Sequence, residues 1–329
     1  MITADEVVWA YRILFDRDPE NADVIRDHMP QASLASLVRA CLESPEFRSR
    51  HSFLFAGTGA QSRYPLDGAP PIHVQSSVSA DDQAGMWARI ARSWDSFGQS
   101  DPYWSVLVDE RWRLDRMSDA AALDAFYRTG RDDLDRLDAW LARGDMAPDS
   151  GGVCAEYGCG VGRVTEHLAR RFRKVRAFDI SASHLQAAQQ RLHGQGLTNV
   201  EFVLVRGPAD LHALAGCDLF FSIIVLQHNP PPVIRSILQC AAAGLRPNGI
   251  AYFQLPTYRT GYAFDAAGYL QAAPDQAEIE MHCLPQRDVL DLLLAANCVP
   301  VEIQPDDRIG HPETWLSHTF LARKRQFVV

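Results

Sequence analysis

This sequence has no long apolar run, no paired cysteine spacing and no excess of basic charge. No stretch approaches the roughly 20 consecutive apolar residues that cross a bilayer. The start, MITADEVVWAYRILF, has no basic segment leading into an apolar core, which argues against a secretory signal. The seven cysteines are scattered without paired spacing, so we expect reduced thiols and a cytoplasmic location. The net charge of −9 argues against a nucleic-acid partner, which usually needs a basic face.

The composition is that of an ordinary globular protein, with 47% apolar and 22% charged residues among 329. This length suits two domains better than one. Residues 1–55 have helical apolar spacing and predict a small helical module. Residues 56–83 are rich in Gly, Ser, Pro and Asp and predict a linker, and residues 84–149 are again helical. From about residue 150 to 329 the pattern changes to short β-rich runs alternating with helices, which predicts an α/β domain with a mostly parallel sheet.

Three glycines lie at alternate positions in VCAEYGCGVGRVTEHL, directly after an apolar run and just before a helix. In open parallel sheets, ligands bind beyond the carboxyl ends of the strands, where glycine lets them approach the backbone. The following helix offers unpaired N–H groups, so a nucleotide-type cofactor is expected here. A dinucleotide fingerprint is spaced G-x-G-x-x-G, whereas Gly158, Gly160 and Gly162 give G-x-G-x-G preceded by Glu156.

This spacing resembles motif I, E/D-x-G-x-G-x-G, of the class I S-adenosylmethionine-dependent methyltransferases. Further blocks of that family follow in order: VRAFDI with its terminal acidic residue, CDLFFSIIVLQH, GLRPNGIAYFQLP, and finally VPVEIQ with HTFLARKR. The resemblance covers about residues 150–329. It implies a Rossmann-like, seven-stranded, mostly parallel sheet with a C-terminal antiparallel hairpin, and S-adenosylmethionine as the cofactor.

The resemblance also implies roles for residues of the cofactor site. Glu156 would orient the methionine amino group above the glycine loop, and Asp179 would accept the ribose hydroxyls. A simple helix cap is the alternative reading of Asp179. Asp210 would contact the adenine amine, although the nearby backbone of residues 207–208 could do so instead. The expected cofactor-binding residues are Glu156, Tyr157, Gly158, Gly160, Gly162, Asp179, Ile180 and Asp210.

The methyl acceptor is expected on the side of the fourth strand. His228 lies just past that strand and could act as a general base, since the reference pKa of histidine lies near neutrality. The alternative is a histidine that only packs at a strand end. Gln227 beside it is expected to line the pocket. If the aromatic segment before motif I covers the cofactor as a lid, Tyr103 and Tyr127 are the expected substrate contacts, and no metal site is expected.

The first 55 residues resemble a small helical domain attached to bacterial glycosyltransferases, methyltransferases and surface proteins. By association, this resemblance implies glycan or cell-envelope biosynthesis and docking of a partner or of a second copy. We therefore expect a bacterial methyltransferase acting on oxygen or nitrogen of a sugar-containing or small-molecule acceptor. An NAD(P)-dependent oxidoreductase and a non-catalytic cofactor-binding scaffold are the alternatives, the former disfavoured by the glycine spacing.

Overall fold

The computed structural model describes residues 2–15, 17–50, 69–117, 120–272, 279–311 and 313–326, with only the backbone given for 48–50. Contacts divide the chain into two compact units, Met1–Asp67 and Gly68–Val329. Residues 56–68 of the expected linker lie outside the described residues, and residues 69–83 belong to the second unit. The domain limits drawn from composition therefore stay predictions.

The first unit is helical. Its helices are α1 (Ala4–Phe15), α2 (Ala22–His28), α3 (Leu34–Glu43) and α4 (Pro45–Arg50). The buried face of α1 packs on Leu37 and Cys41 of α3, because apolar residues recur along α1 at helical spacing. Side chains of Asn21 and Ser33 accept backbone N–H groups at the starts of α2 and α3, which fixes where these helices begin.

The second unit opens with elements that precede the sheet. These are strand β1 (His73–Val74), helix α5 (Ala80–Ser100), two 3-10 turns (Glu110–Trp112 and Leu114–Arg116) and helix α6 (Ala120–Arg143). Ser79 caps α5, so the helix begins within the stretch expected to be linker. Strand β1 pairs in parallel with β7 (Ala263–Phe264), which ties residues 73–74 to the second unit.

The central sheet has seven strands. They are β2 (Val153–Tyr157), β3 (Lys174–Asp179), β4 (Val200–Leu204), β5 (Cys217–Ser222), β6 (Leu245–Arg259), β8 (Cys298–Asp306) and β9 (Trp315–Lys324). The order is β4-β3-β2-β5-β6-β9-β8, and only β9 runs antiparallel to its two neighbours. The prediction of a Rossmann-like, mostly parallel sheet with a C-terminal antiparallel hairpin is confirmed.

Helices cover both faces of this sheet. They are α7 (Thr165–Arg171), α8 (Ala182–Gly194), α9 (Pro231–Gly244), α10 (Ala266–Gln271) and α11 (Gln286–Ala295), with 3-10 turns at Pro208–Leu214 and Leu226–His228. Phe220 and Phe253 belong to the core on one face, and Phe221 and Tyr252 to the core on the other. The chain proceeds outward from β2 to β4 and then resumes on the other side of β2 with β5. This reversal predicts a ligand cleft beside β2 and β5.

Candidate cofactor and active site

A cleft lies beyond the carboxyl ends of β2, β3 and β5, enclosing about 780 Å³ when its open side is counted. Four segments form its wall: helix α5 with the loop after it, the glycine loop, the end of β3 with the start of α8, and the loop after β5. Their side chains and backbone include Ile90, Trp94, Ser105, Val106, Glu156–Gly160, Arg163, Asp179, Ile180, His184, Ile223–Val225 and His228. Most of the cofactor residues expected from the sequence therefore meet in one place.

The glycine loop is shaped by positive φ angles and close approaches. Gly158 has φ +78°, and a Cβ there would lie 2.3 Å from the Val225 side chain. Gly160 has φ +53°, and its Cβ would lie 2.6 Å from Val106. L side chains rarely adopt such angles, so both positions require glycine. The N–H groups of Gly158 and Cys159 donate to the Phe178 carbonyl at 2.8 and 2.9 Å, which anchors the loop to β3.

Asp179 holds the loop from the end of β3. Its Oδ2 accepts the Gly160 N–H at 2.7 Å and its Oδ1 accepts the Ser181 N–H at 2.9 Å. Each carboxylate oxygen retains a further lone pair, so Asp179 can also accept hydroxyl donors from the cleft. Ser181 caps α8 by accepting the His184 N–H, so the helix does not depend on Asp179 alone for its cap.

Glu156 is a buried carboxylate with an unsatisfied oxygen. Only 3% of the residue is exposed, and its Oε2 finds no hydrogen-bond partner among the described residues. Burial raises the pKa of Glu156 to about 8, and the nearby Thr165 hydroxyl and then the charge of Arg163 oppose this rise. A buried, unpaired acceptor is costly, so a cationic group of a ligand would satisfy it.

Arg163 supplies the matching donor and was not among the expected site residues. Its two terminal nitrogens donate to Asp133 at 2.7 Å and to Thr129 at 3.2 Å. Its Nε lies buried with no acceptor in the described part of the chain. Arg308 also donates to Asp133 at 2.7 Å, so a buried ionic network holds the Arg163 side chain in place. The only sequence signal for Arg163 is its position directly after the glycine motif.

His228 lies at the end of a directed hydrogen-bond chain. The Ile224 N–H donates to Oε1 of Gln254, which orients that amide, and its Nε2 then donates to Oε1 of Gln227 at 2.9 Å. The Gln227 amide nitrogen faces Nε2 of His228 at 3.3 Å. Because Nδ1 of His228 lies 3.0 Å from the Glu280 carbonyl, which can only accept, the proton is assigned to Nδ1 and the lone pair to Nε2.

This geometry gives His228 a defined chemical state. Burial lowers the pKa of His228 to about 4, so the ring is neutral at neutral pH. Its ring centre lies 5.2 Å from the ring of Trp94, and both line the cleft. Gln227 is buried, is hydrogen-bonded to both Gln254 and His228, and lies outside the cleft wall, so the cleft geometry gives no support to its expected place in the pocket. The base role of His228 stays a prediction.

Besides Gln227, four expected site residues lie outside the cleft wall: Gly162, which packs against Leu192 of α8, and Asp210, Tyr127 and Tyr103. The Asp210 carboxylate accepts the Arg206 N–H at 2.7 Å, a local bond at the turn that contains it. The Tyr127 hydroxyl donates to the Val161 carbonyl at 3.0 Å in a buried aromatic cluster. Tyr103 packs edge-on against Phe126 in the same cluster. The cleft geometry gives no support to the expected contacts of these three side chains with cofactor or substrate.

The segment before the sheet nevertheless reaches the cleft through other residues. Helix α5 contributes Ile90 and Trp94, and the loop after it contributes Ser105 and Val106. Asp95 fastens α5 to the start of α8, accepting the Ser183 N–H at 3.0 Å. The lid assignment for residues 84–149 stays a prediction, supported by these four side chains.

Within the described residues, no group of three or more His, Cys, Asp or Glu side chains is placed to hold a metal ion. Among those same residues, none of the helices combines the length and apolar character needed to cross a membrane.

Comparisons with known proteins place residues 155–249 in the family described as a methyltransferase domain. One relative, a tRNA/tmRNA (uracil-C(5))-methyltransferase of a Nitratiruptor species, is 37% identical over 24% of this chain and 24% of its own length. Another, a ubiquinone biosynthesis O-methyltransferase of Pasteurella multocida, is 32% identical over 30% of this chain and 43% of its own length. The chain therefore spans less than half of the length of these curated relatives.

One similar solved structure is magnesium protoporphyrin IX methyltransferase of Synechocystis PCC 6803 with bound SAH. The alignment covers 73% of this chain and 99% of that chain, with 17% sequence identity and a TM-score of 0.49. The family match includes the glycine loop, Asp179 and His228, which are the residues that carry the resemblance in the sequence. Residues 155–249 match the methyltransferase domain family, and over that segment the predicted resemblance to class I methyltransferases and the prediction of S-adenosylmethionine as the cofactor are confirmed.

Proposed function

We propose that this chain transfers a methyl group from S-adenosylmethionine to oxygen or nitrogen of a small-molecule acceptor, sugar-containing acceptors included. The observation that carries the proposal is that two residues of one cleft wall each keep a buried polar atom without a partner among the described residues, Oε2 of Glu156 and Nε of Arg163. A free amino acid group presents an ammonium and a carboxylate, which fit such an acceptor and donor.

The residues present fit the donor in two further respects. Asp179 retains lone pairs for hydroxyl groups, and the bare backbone of Gly158 and Gly160 permits close approach. When bound, S-adenosylmethionine supplies an activated methyl group on a sulfonium centre. Trp94 and Val106 line the same cleft and would help to exclude water from the bound donor. His228 would be the proton acceptor for a hydroxyl acceptor.

The two curated relatives are named for different reactions, methylation of uracil at C5 in tRNA or tmRNA and O-methylation in ubiquinone biosynthesis. The net charge of −9 favours the small-molecule class over RNA. All seven cysteines are free thiols, which supports the expected reducing, cytoplasmic environment. Docking of a partner or of a second copy through residues 1–55 remains part of the proposal.

Calorimetric titration of S-adenosylhomocysteine into the wild-type protein, Asp179→Asn and Asp210→Asn tests the cofactor site. We expect micromolar binding to the wild type and a loss of about tenfold or more in Asp179→Asn, because a carboxylate acceptor of hydroxyl groups is lost. Asp210→Asn is the matched control and should bind normally, since the Asp210 side chain accepts the Arg206 N–H and lies outside the cleft wall. Absence of binding to the wild type would overturn the proposal.

A turnover assay distinguishes the proposed methyltransferase from a non-catalytic, cofactor-binding scaffold. Steady production of S-adenosylhomocysteine from S-adenosylmethionine with any member of an acceptor panel excludes a scaffold role. Binding without turnover across phenols, sugars and amines would favour the scaffold.

A further inference from the structure

The Asp133 carboxylate on α6 is shared by two arginines from distant parts of the chain. Its Oδ2 accepts from Arg163 at 2.7 Å, and its Oδ1 accepts from Arg308 at 2.7 Å. Only 3% of Asp133 is exposed. Burial favours the protonated carboxyl, but the charges of the two arginines outweigh it and hold the pKa of Asp133 below its ordinary value. Asp133 therefore carries one negative charge between two guanidinium groups.

This cluster contains more positive than negative charge. The side chains of Arg163 and Arg308 are 6% and 15% exposed, so water compensates little of their charge. A third arginine, Arg136, approaches Asp133 at 3.4 Å, but its side chain is 60% exposed and is screened by solvent. One carboxylate thus faces two largely buried cations, which leaves one positive charge uncompensated.

Two further carboxyl groups do not remove this charge. Asp306 accepts the Arg308 backbone N–H at 3.1 Å and the Thr319 hydroxyl at 2.9 Å, and it forms no ion pair with a guanidinium group of the described residues. Glu156 has a pKa of about 8, so it is mostly protonated at neutral pH in the free protein. The excess positive charge therefore persists until a ligand brings a carboxylate.

Arg163 presents this charge to the cleft. It lines the cleft wall, and its Nε is buried with no acceptor in the part of the chain that the structure describes. Its two terminal nitrogens are occupied, since one donates to Asp133 and the other to Thr129 at 3.2 Å. The guanidinium group is therefore held in one orientation before a ligand arrives, which lowers the entropic cost of binding. Nε is the donor left for a ligand carboxylate.

Arg308 reaches the cluster from the turn between β8 and β9. Because Arg308 and Arg163 bind opposite oxygens of Asp133, the single negative charge is divided between them. Without Arg308, Asp133 would neutralise Arg163 alone, and the attraction of the cleft for an anion would fall. The charge of Arg308 therefore acts on the cleft through Asp133 and Arg163, although Arg308 itself lies outside the cleft wall.

We propose that Arg308 is a positioning residue for the methyl donor: by sharing Asp133, it leaves the charge of Arg163 available to the carboxylate of the amino acid part of S-adenosylmethionine. This inference rests on the proposed function. It assigns recognition of the amino acid end in part to residues outside the matched segment 155–249, with Asp133 before it and Arg308 after it.

The test compares two ligands by calorimetric titration into the full chain. S-adenosylhomocysteine carries an ammonium and a carboxylate, whereas S-adenosyl-3-thiopropylamine keeps the ammonium and lacks the carboxylate. We expect the wild type to bind S-adenosylhomocysteine about tenfold or more tightly than the amine. In Arg308→Gln the affinity for S-adenosylhomocysteine should fall about tenfold. The affinity for the amine should stay equal or rise, because a cation near its ammonium is removed.

Two further variants serve as controls. Arg308→Lys keeps the charge and should bind S-adenosylhomocysteine within about threefold of the wild type. Arg143→Gln is the matched control, because Arg143 also connects α6 to β8, through Glu302 at 2.7 Å, and lies outside the cleft wall. Both ligands should bind Arg143→Gln as they bind the wild type.

Equal weakening of both ligands in Arg308→Gln would indicate a general structural effect and overturn the inference. An unchanged affinity for S-adenosylhomocysteine in that variant would also overturn it. The wild-type comparison does not depend on the folding of any variant: equal binding of the two ligands would refute the inference and leave the proposed function standing. Failure of S-adenosylhomocysteine to bind the wild type would instead refute the proposed function and the inference together.

Discussion

At the scale of single residues, the cleft contains groups that the free protein leaves in unfavourable states. Glu156 is buried with an unsatisfied oxygen, and Ile224 has φ +60°, a left-handed angle that is rare for a β-branched residue. The N–H of Ile224 is held by Gln254, which keeps that backbone in place. Strain and unsatisfied polarity persist where the surrounding structure enforces them, and they cluster at ligand sites.

Glu156→Gln should therefore stabilise the free protein while weakening cofactor binding. The folded-state pKa of Glu156, about 8, lies above its ordinary value of 4.5. Between these two values the folded protein holds a proton that the unfolded chain has released, so stability falls as the pH rises through this window. The variant removes this loss and should be roughly 1–3 kcal/mol more stable than the wild type at pH 8.5 and about equal at pH 5.

Urea denaturation at both pH values measures this difference, and calorimetry should show S-adenosylhomocysteine binding weakened about tenfold or more, because a charge-assisted hydrogen bond is lost. Glu166→Gln is the control: Glu166 is buried too, but it already accepts from Arg191 at 3.0 Å, so its replacement should destabilise. A pH-independent difference between Glu156→Gln and the wild type would contradict the assigned state of Glu156.

Gln254 offers a test of the hydrogen-bond chain that ends at His228. Gln254→Leu removes the group that orients Gln227, so the Gln227 amide no longer holds Nε2 of His228 in a fixed position. We expect kcat to fall about tenfold with little change in cofactor affinity, since Gln254 lies outside the cleft wall. The exposed Gln304→Leu serves as the control. Unchanged kcat in Gln254→Leu would show that the chain does not position His228.

Site residues that belong to a short contiguous motif can be predicted from the sequence, whereas residues whose role depends on side-chain orientation cannot. The glycines and Glu156 belong to one contiguous pattern and Asp179 ends a strand, and the structure brings Gly158, Gly160, Glu156 and Asp179 together in the cleft wall. Tyr103 and Tyr127 were expected in the cleft because aromatic residues suit a cleft wall, but sequence does not determine which way a ring points. Their rings face an aromatic cluster, whereas the indole of Trp94 from the same segment reaches the cleft.

At the scale of elements, helix α6 approaches the glycine loop so closely that one position must be glycine. A Cβ at Gly130 would lie 2.1 Å from the Arg163 carbonyl oxygen, which is backbone and cannot move cheaply. Gly130→Ala should destabilise the protein by roughly 1–3 kcal/mol and weaken S-adenosylhomocysteine binding, because Arg163 is displaced. Thermal unfolding and calorimetry measure the two effects.

Gly194→Ala is the matched substitution at another helical glycine. No atom lies within 4 Å of a Cβ built there, so the variant should gain up to about 1 kcal/mol from the better helix propensity of alanine. Equal stability of the two variants would argue against the close approach of α6. No sequence pattern marks Gly130, because its requirement comes from a loop that is distant along the chain.

The sheet, in contrast, was predictable strand by strand. Both faces of a parallel sheet are buried, so its strands read as continuous apolar runs, and all five residues of β2 are buried. The start of the second unit was less predictable. Residues 69–83 read as linker because Gly, Ser and Pro dominate around them, yet β1 and the first turn of α5 lie there. A two-residue strand such as β1 is too short to show the alternating pattern by which strands are recognised in a sequence.

At the scale of the whole molecule, the chain comprises two compact units, and the cleft belongs to the second. Every residue that lines the cleft lies between positions 90 and 229. The first unit has its own small core, in which Val7 and Leu37 are fully buried. Small helical units bury a lower fraction of their surface than large domains and are correspondingly less stable.

A chain shortened to residues 69–329 should consequently fold and bind S-adenosylhomocysteine with an affinity within about twofold of that of the full chain. Calorimetric unfolding of the full chain should show a small transition at lower temperature that the shortened chain lacks, since the first unit has the smaller core. The larger transition should shift upward with S-adenosylhomocysteine in both proteins. If the shortened chain lost its affinity while keeping its larger transition, the first unit would have to contribute to the site, and the cleft could no longer be assigned to the second unit alone.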